Sequence, residues 1–138
     1  TKIMTFRPSS RDWSMVKMPR KAAVIYTDGM FIYNDETDNV PVTTTSQNHL
    51  KGIVQASYAS STSTADMYVL APNSVNSTFY ADGGSGTLTK AMEGDQFDFA
   101  SDGLSIAQAA STYDTVELVK YINASTGIFK LNVLHGKD

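Results

Sequence analysis

The stretch TVELVKYI, residues 115–122, alternates apolar and polar side chains, and IFKLNVL, residues 128–134, repeats the same period of two. Such a period places every second side chain on one face of a β-strand. The small and polar residues 124–127 between the two stretches are typical of a turn. These stretches therefore predict two neighbouring antiparallel strands with one buried face.

Further short strands are predicted upstream, with turn signals about every eight to twelve residues. Residues 22–26 and 30–34 flank a Thr-Asp-Gly turn signal and predict a hairpin. Pro41 confines the extended stretch 40–45 to a sheet edge or a strand start. Gly52 marks a possible bulge in a strand over 50–56. Other predicted strands cover residues 66–71, 78–81, 87–89 and 96–99.

The intervening segments are predicted to be irregular. Residues 57–65 read as a long exposed loop, and the glycine-rich stretch 82–86 as a tight turn. Residues 104–110 fit either a helical turn or a strand. The sequence therefore predicts an all-β fold, a single small antiparallel β-barrel or compact sandwich of about eight short strands.

Length and composition allow one domain with an appendage. The chain has 138 residues, of which 41% are hydrophobic and only 18% are charged, enough for an apolar core. The absence of cysteine excludes disulfides, thiolate metal sites and thiol nucleophiles. No uninterrupted apolar stretch approaches the ~20 residues that cross a bilayer, so we expect a soluble protein without a membrane partner.

Charge is distributed unevenly along the chain. The first 21 residues hold six of the eleven basic residues and one of the fourteen acids, which leaves five bases and thirteen acids for the remaining 117 residues. An acidic body argues against nucleic-acid binding. The sequence thus predicts a basic extended N-terminal arm, residues 1–20, and a β-barrel body, residues 21–138.

The arm carries apolar side chains without a regular period and is interrupted by Pro8 and Pro19. Burying five of them returns roughly 10 kcal/mol, whereas ordering about twenty residues costs on the order of 20–40 kcal/mol. We therefore expect the arm to be ordered by a surface outside its own domain. Trp and Arg often dominate such contacts. The arm residues expected to contact a partner are Phe6, Arg7, Arg11, Trp13, Met15, Lys17, Met18 and Arg20.

Catalytic and cofactor sites are not predicted. His49 and His135 lie outside any zinc-binding pattern. Asp95 and Asp98 are three residues apart in a predicted strand, so their side chains point to opposite faces and do not form a glycosidase pair. Asp35, Glu36 and Asp38 could hold Ca²⁺ but fail the EF-hand spacing, and a solvated loop is the favoured interpretation. No metal, cofactor or catalytic residue is therefore assigned.

Three segments carry a resemblance to a known family. They are residues 19–35, PRKAAVIYTDGMFIYND; residues 50–54, LKGIV; and residues 94–98, GDQFD. Together they make the stretch 19–133 resemble the bacteriophage capsid decoration, or cement, proteins of small β-barrel type. The resemblance implies a virion protein that binds the outside of the head, contacts the major capsid protein and braces adjoining capsomers, often as a homotrimer.

Two function classes follow as expectations. The first is a non-enzymatic structural protein on the capsid surface that stabilises the head. The alternative is a receptor- or glycan-binding β-domain of a phage fibre or tail, which would use Tyr58, Tyr68, Tyr80 and the polar loops for adhesion.

Overall fold

The computed structural model describes residues 5–43, 49–84, 86–108, 111 and 113–132. Within them lie eleven β-strands and a single 3-10 turn, Lys90–Met92. The strands are β1 (Arg7–Pro8), β2 (Trp13–Pro19), β3 (Phe31–Asn34), β4 (Asn39–Pro41), β5 (Leu50–Val54), β6 (Asp66–Pro72), β7 (Thr78–Asp82), β8 (Gln96–Phe99), β9 (Ile106–Ala107), β10 (Val116–Tyr121) and β11 (Thr126–Leu131).

The strands form two antiparallel sheets. The six-stranded sheet has the order β1-β7-β11-β10-β8-β9, and the five-stranded sheet has the order β2-β6-β5-β3-β4. The five-stranded sheet is curled, so that Asn39 Nδ2 at the start of β4 donates a hydrogen bond to the carbonyl of Pro19 at the end of β2 at 3.0 Å. The all-β prediction is confirmed.

The main core lies between the two sheets. Alternation along β3 and β5 sends Phe31 and Ile53 toward the six-stranded sheet. There the ring of Phe31 lies 5.4 Å from that of Phe79 and 5.0 Å from that of Phe99, measured between centroids. This aromatic cluster fixes how the two sheets face each other.

A second cluster covers the opposite face of the five-stranded sheet. It is built on Ile32, Val54 and Val69. Each of these is adjacent in sequence to a residue whose side chain points the other way, toward the main core or its edge. Tyr26, which lies in the segment 21–30, packs into this cluster. Its hydroxyl donates to the carbonyl of Asn39 at 2.6 Å. Both faces of the central strands are therefore buried.

Three of the four prolines lie in edge strands, where a missing N–H costs nothing. Pro8, Pro19 and Pro41 lie in the edge strands β1, β2 and β4. The residues next to these prolines hydrogen-bond to the sheet: Ser9 N donates to the Thr78 carbonyl at 2.9 Å, and Val42 N donates to the Phe31 carbonyl at 3.0 Å. Because main-chain groups alternate in direction along a strand, the proline nitrogens point away from the sheet. Each of these three prolines thus fits an edge. The fourth, Pro72, is the last residue of the inner strand β6 and lies beyond the residues of β6 that pair with β5.

Several predicted elements are confirmed. Strands β5, β6, β7, β8, β10 and β11 lie where the sequence predicted them. A register irregularity between β3 and β5 falls at Gly52, as predicted. The 40–45, 82–86, 104–110 and 128–134 predictions each extend into positions outside the described residues, namely 44–45, 85, 109–110 and 133–134.

The predicted hairpin over residues 22–34 is wrong. Only Tyr26 of its first half forms a bridge, and its partner is Tyr58 in the 57–65 loop. The second half, Phe31–Asn34, pairs with β4 and β5. A short apolar run fits a strand and a buried loop equally well, and here the loop covers the second cluster. Residues 87–89, predicted to be a strand, are also irregular.

The expectation that an outside surface orders the arm is wrong for its described residues, 5–20. Strand β1 pairs with β7, and β2 pairs with β6 over seven residues from Trp13 to Pro19. The N-terminal segment therefore supplies one edge to each sheet and belongs to the same folded unit as residues 21–132. Its backbone hydrogen bonds to the body are the stabilisation that the sequence estimate left out.

Candidate docking surface

Phe6, predicted to contact a partner, lies in the main core instead. It is 1% exposed, and its ring meets Phe31, Phe79 and Phe99 with centroids 5.4, 5.7 and 5.6 Å away. A side chain so enclosed cannot touch another molecule. The prediction for Phe6 is therefore wrong, and its role is to join the N-terminal segment to both sheets.

Three other predicted contact residues have partners within the chain. Trp13 is half-buried against Phe79 and donates its Nε1–H to the Thr78 carbonyl at 3.1 Å. Met18 packs against the second cluster. Arg20 donates to Ser63 Oγ at 3.2 Å, with its guanidinium 4.8 Å from the centroid of Tyr58. These side chains hold the segment to the body.

The remaining four, Arg7, Arg11, Met15 and Lys17, are exposed. They do not form one patch of the basic segment. Arg7 belongs to β1 and the six-stranded sheet, while Met15 and Lys17 belong to β2 and the five-stranded sheet. The structure therefore offers two separate surfaces.

The first surface is a row of side chains on the outer side of the six-stranded sheet. Register aligns Arg7 with Tyr80, Tyr80 with Ile128, and Ile128 with Lys120. The row alternates with the buried Phe79 and Phe129, so it points away from the core. We call Arg7, Tyr80, Ile128 and Lys120, with the half-buried Lys130 of β11, the basic face.

The basic face combines charge with apolar area. The Arg7 guanidinium lies 4.9 Å from the centroid of the Tyr80 ring, and Ile128 remains half-buried. Two acids lie beside it: Glu117, across from Lys130 in the register, and Glu93, which accepts the N–H of Tyr121 next to Lys120. On a chain of formal net charge −3, such a face attracts an acidic surface.

Sequence reasoning missed Lys120 and Lys130. They lie more than one hundred residues from Arg7 along the chain and were interpreted only as polar positions of alternating strands. Strand order alone brings β1, β7, β11 and β10 side by side. The sequence did contain a signal for their outward position, because both lysines occupy strand positions that alternate with apolar core residues.

The second surface is the outer edge of β2. Asn73 N donates to the Asp12 carbonyl at 3.0 Å and Arg20 N donates to the Ala65 carbonyl at 3.2 Å. By alternation, the even residues of β2 face β6 with their main-chain groups, and Trp13, Met15 and Lys17 turn theirs outward. We call these three residues the β2 edge.

The other sheet edges are short or blocked in the part of the chain that the structure describes. Strands β1 and β9 each have two residues. In β4 the outward positions are Pro41, which has no N–H, and Asn39, whose carbonyl accepts the Tyr26 hydroxyl. The β2 edge is therefore the longest strand edge available for pairing.

The tyrosines predicted to bind glycans are each covered by a base. Arg20 lies over Tyr58 and Arg7 over Tyr80, and Lys17 Nζ lies 5.5 Å from the centroid of Tyr68. All three cations come from the N-terminal segment. Ring faces that already hold a cation are less open to stacking against a sugar.

Hydrogen bonds to carboxylates pin loops and lower their pKa values. Ser74 Oγ and Ser77 Oγ donate to Asp12 Oδ2 at 2.8 and 2.9 Å, and they hold the pKa of Asp12 below its ordinary value. Backbone N–H groups of Asp38 and Thr37 lower the pKa of Asp35 in the same way. The acidic 35–38 loop is thus closed on itself by Asp35.

The described residues offer no assembled catalytic or metal-binding group. They contain no cluster of three or more His, Asp or Glu side chains that could hold a metal ion. Asp98 is 2% exposed and accepts the N–H groups of Tyr113 and Asp114, whereas Asp95 is exposed, so the two carboxylates play different roles. The described residues that line a polar pocket of about 470 Å³ include Asp95, Asp114 and Ser111 and no histidine.

His49 is half-buried at the start of β5, and His135 lies outside the described residues. Among the helical segments that the structure describes, none has the length and apolar character needed to span a bilayer.

Comparison with protein-family models, with curated proteins and with solved structures gives no match for this chain. Its function must therefore be argued from the surfaces themselves.

Proposed function

We propose that this chain is a non-enzymatic structural protein of a virion, which binds the outer surface of a capsid and stabilises the head. The observation that carries the proposal is the basic face, a cationic and apolar row on an otherwise acidic protein. The resemblance to capsid decoration proteins supplies the identity of the partner, the major capsid protein.

The geometry supports binding more than catalysis. The basic face is a sheet surface built on paired strands, so its side chains are held in fixed order without a cleft. Arg7 and Lys120 stand at the two ends of the row, with Tyr80 and Ile128 between them. Charged ends favour encounter with an acidic surface, and the apolar centre slows release.

The glycan-binding alternative has weaker support. Its three tyrosines lie under Arg7, Lys17 and Arg20, and Tyr58 also accepts the Tyr68 N–H through its hydroxyl at 3.2 Å. A sugar that stacked on the same ring faces would have to displace these contacts. Binding of the isolated protein to a glycan array would nevertheless favour the alternative.

Grouping of copies on the particle is part of the proposal. A homotrimer about a symmetry axis of the capsid would let one basic face from each copy reach adjoining capsomers. A cryo-EM map of the particle tests this arrangement, and scattered copies that do not touch would contradict it.

The stabilising role is tested on particles with and without the protein. Differential scanning calorimetry should give a higher disruption temperature for decorated particles, because a ligand that binds the intact head stabilises it. The matched control is a particle incubated with an Arg7→Gln, Lys120→Gln double variant. Equal disruption temperatures for bare and decorated heads would remove the stabilising role.

A further inference from the structure

The β2 edge ends a row of apolar side chains that crosses the five-stranded sheet. Register places Phe31 beside Ile53, Ile53 beside Leu70, and Leu70 beside Met15. Exposure rises along the row, from 0% at Phe31 and 1% at Ile53 to 54% at Met15. The row therefore begins in the core and stops, uncovered by any described residue, at an open strand edge.

We propose that the β2 edge pairs with the β2 edge of a second copy of this chain, antiparallel and centred on Met15. Such a two-fold pairing continues the apolar row, because Met15 of one copy lies opposite Met15 of the other and each is flanked by its own Leu70. It also satisfies the outward main-chain groups of Met15 and Lys17. This contact goes beyond the proposed function and does not depend on a capsid. It is a two-fold contact between free copies, distinct from the grouping of three copies proposed on the particle.

Charge selects the register. Pairing centred on Lys17 would place two lysines directly opposite each other, which is unfavourable across strands. Pairing centred on Met15 places Lys17 opposite Trp13 of the second copy, where a cation and an indole attract. No like charges within β2 then face each other.

Pro19 selects the same register. If the pairing were centred on Val16, Pro19 would face Trp13 of the second copy and would leave one hydrogen bond unmade, because proline has no N–H. With Met15 at the centre, the facing positions are Trp13, Met15 and Lys17, which all carry an N–H, and Pro19 lies beyond them. The two-fold pairing occupies the β2 edge of both copies and leaves no β2 edge free, so the assembly closes at a dimer instead of growing into a fibre.

A second copy fits this edge better than an acidic strand of another protein. The β2 edge carries two apolar side chains, Trp13 and Met15, and one basic side chain, Lys17. Charge alone therefore does not define the edge. The apolar row at its centre is matched by an identical row. A chain that stays monomeric at every concentration would instead leave the edge for a foreign strand.

Cysteine trapping tests the register directly, because the chain has no cysteine of its own. Met15→Cys places two thiols opposite each other, with Cα atoms about 5.5 Å apart and within disulfide range. Lys17→Cys is the matched exposed control, since its two copies would lie about 13 Å apart along the strands. Under mild oxidation we expect the disulfide dimer of Met15→Cys to form at least about tenfold faster.

Sedimentation of the full-length protein gives an independent readout. The weight-average mass of the wild type should rise with concentration from 15.0 kDa toward that of a dimer. Met15→Lys should keep the monomer mass and a wild-type circular dichroism spectrum. Val119→Lys, at a residue 41% exposed on the other sheet, should still associate.

Three outcomes would overturn the proposal. They are a wild type that remains monomeric at all concentrations, Met15→Cys that crosslinks no faster than Lys17→Cys, and self-association that survives Met15→Lys.

Discussion

The ring of Phe6 meets the ring of Phe31 edge-on, with centroids 5.4 Å apart and an interplanar angle of 90°. The contact joins the N-terminal segment to the centre of the five-stranded sheet. Phe6 also touches Phe79 and Phe99 of the other sheet, so one side chain from the start of the chain bridges both layers. The segment is therefore part of the folding unit.

Phe6→Ala should lower the free energy of unfolding by about 3–5 kcal/mol, because a fully buried phenyl ring leaves a cavity between two packed sheets. Urea denaturation followed by fluorescence measures the change. Arg11→Ala, at an exposed position nearby, should stay within about 0.5 kcal/mol of the wild type.

Deleting residues 1–20 gives a second readout of the same relationship. The deletion removes β1, β2 and Phe6, so the remainder should lose its cooperative unfolding transition. A truncated body that unfolds cooperatively at wild-type urea concentrations would instead support a dispensable arm.

Gly52→Ala should destabilise the protein by more than about 2 kcal/mol. Gly52 has φ +143°, and an added Cβ would fall against the Leu70 carbonyl, 2.8 Å from its carbon. Gly94→Ala is the matched control, since Gly94 has φ +93° with open space around it and should cost only about 1 kcal/mol of backbone strain. Urea midpoints compare the two, and equal losses would exclude the steric explanation.

The bulge at Gly52 illustrates what the sequence could reveal. A lone glycine inside a predicted strand is a local signal, and it correctly predicted an irregular register. Alternation over 115–122 and 128–134 was equally local, and β10 and β11 do pair with each other. These local patterns were therefore sufficient, whereas the equally local apolar run 22–26 was mistaken for a strand because a short apolar run also fits a buried loop.

The N-terminal segment was misread because its partners are distant in sequence. Phe6 contacts residues 31, 79 and 99, and Trp13 contacts the strand that begins at Thr78. No pattern within residues 1–20 predicts these contacts. The energy estimate treated the segment as isolated and so omitted the hydrogen bonds that β6 and β7 provide. The basic face was missed for the same reason, since it exists only once four strands are in order.

Arg20 should behave as a structural residue. Its side chain is half-buried, stacks on Tyr58 and donates to Ser63 Oγ, so Arg20→Ala should lower the free energy of unfolding by about 1–2 kcal/mol. Arg20→Lys keeps a charge but loses the planar guanidinium contact, and it should recover only part of the loss. Thermal unfolding of the two variants and the wild type measures the order, and a wild-type stability for Arg20→Ala would return this residue to the list of partner contacts.

Stability should fall in acid partly because of Asp12. Its folded-state pKa lies below the ordinary value of 3.8 because Ser74 and Ser77 donate to the carboxylate. The stabilisation is therefore complete above that ordinary value and is lost as the pH falls through the lower folded pKa. Ser74→Ala removes the main donor and should flatten this part of the pH profile, as should Asp12→Asn. Urea midpoints measured from pH 6 down to about pH 2 check the prediction, and a profile unchanged in both variants would contradict it.

Neutralising the basic face should slow binding to capsids. Arg7→Gln and Lys120→Gln each remove a charge from one end of the row, whereas Lys21→Gln removes the same charge near the start of β4 in the other sheet, where Lys21 pairs with Asp38 at 3.8 Å. We expect each basic-face variant to reduce the association rate by about threefold or more at low salt, because long-range attraction governs encounter.

The control should bind at the wild-type rate. Raising the salt shortens the screening length to below about 8–10 Å, so the association rates of the wild type and the three variants should become similar. Surface plasmon resonance on immobilised heads gives the rates, and equal rates for Lys120→Gln and Lys21→Gln at low salt would show that docking uses a different surface.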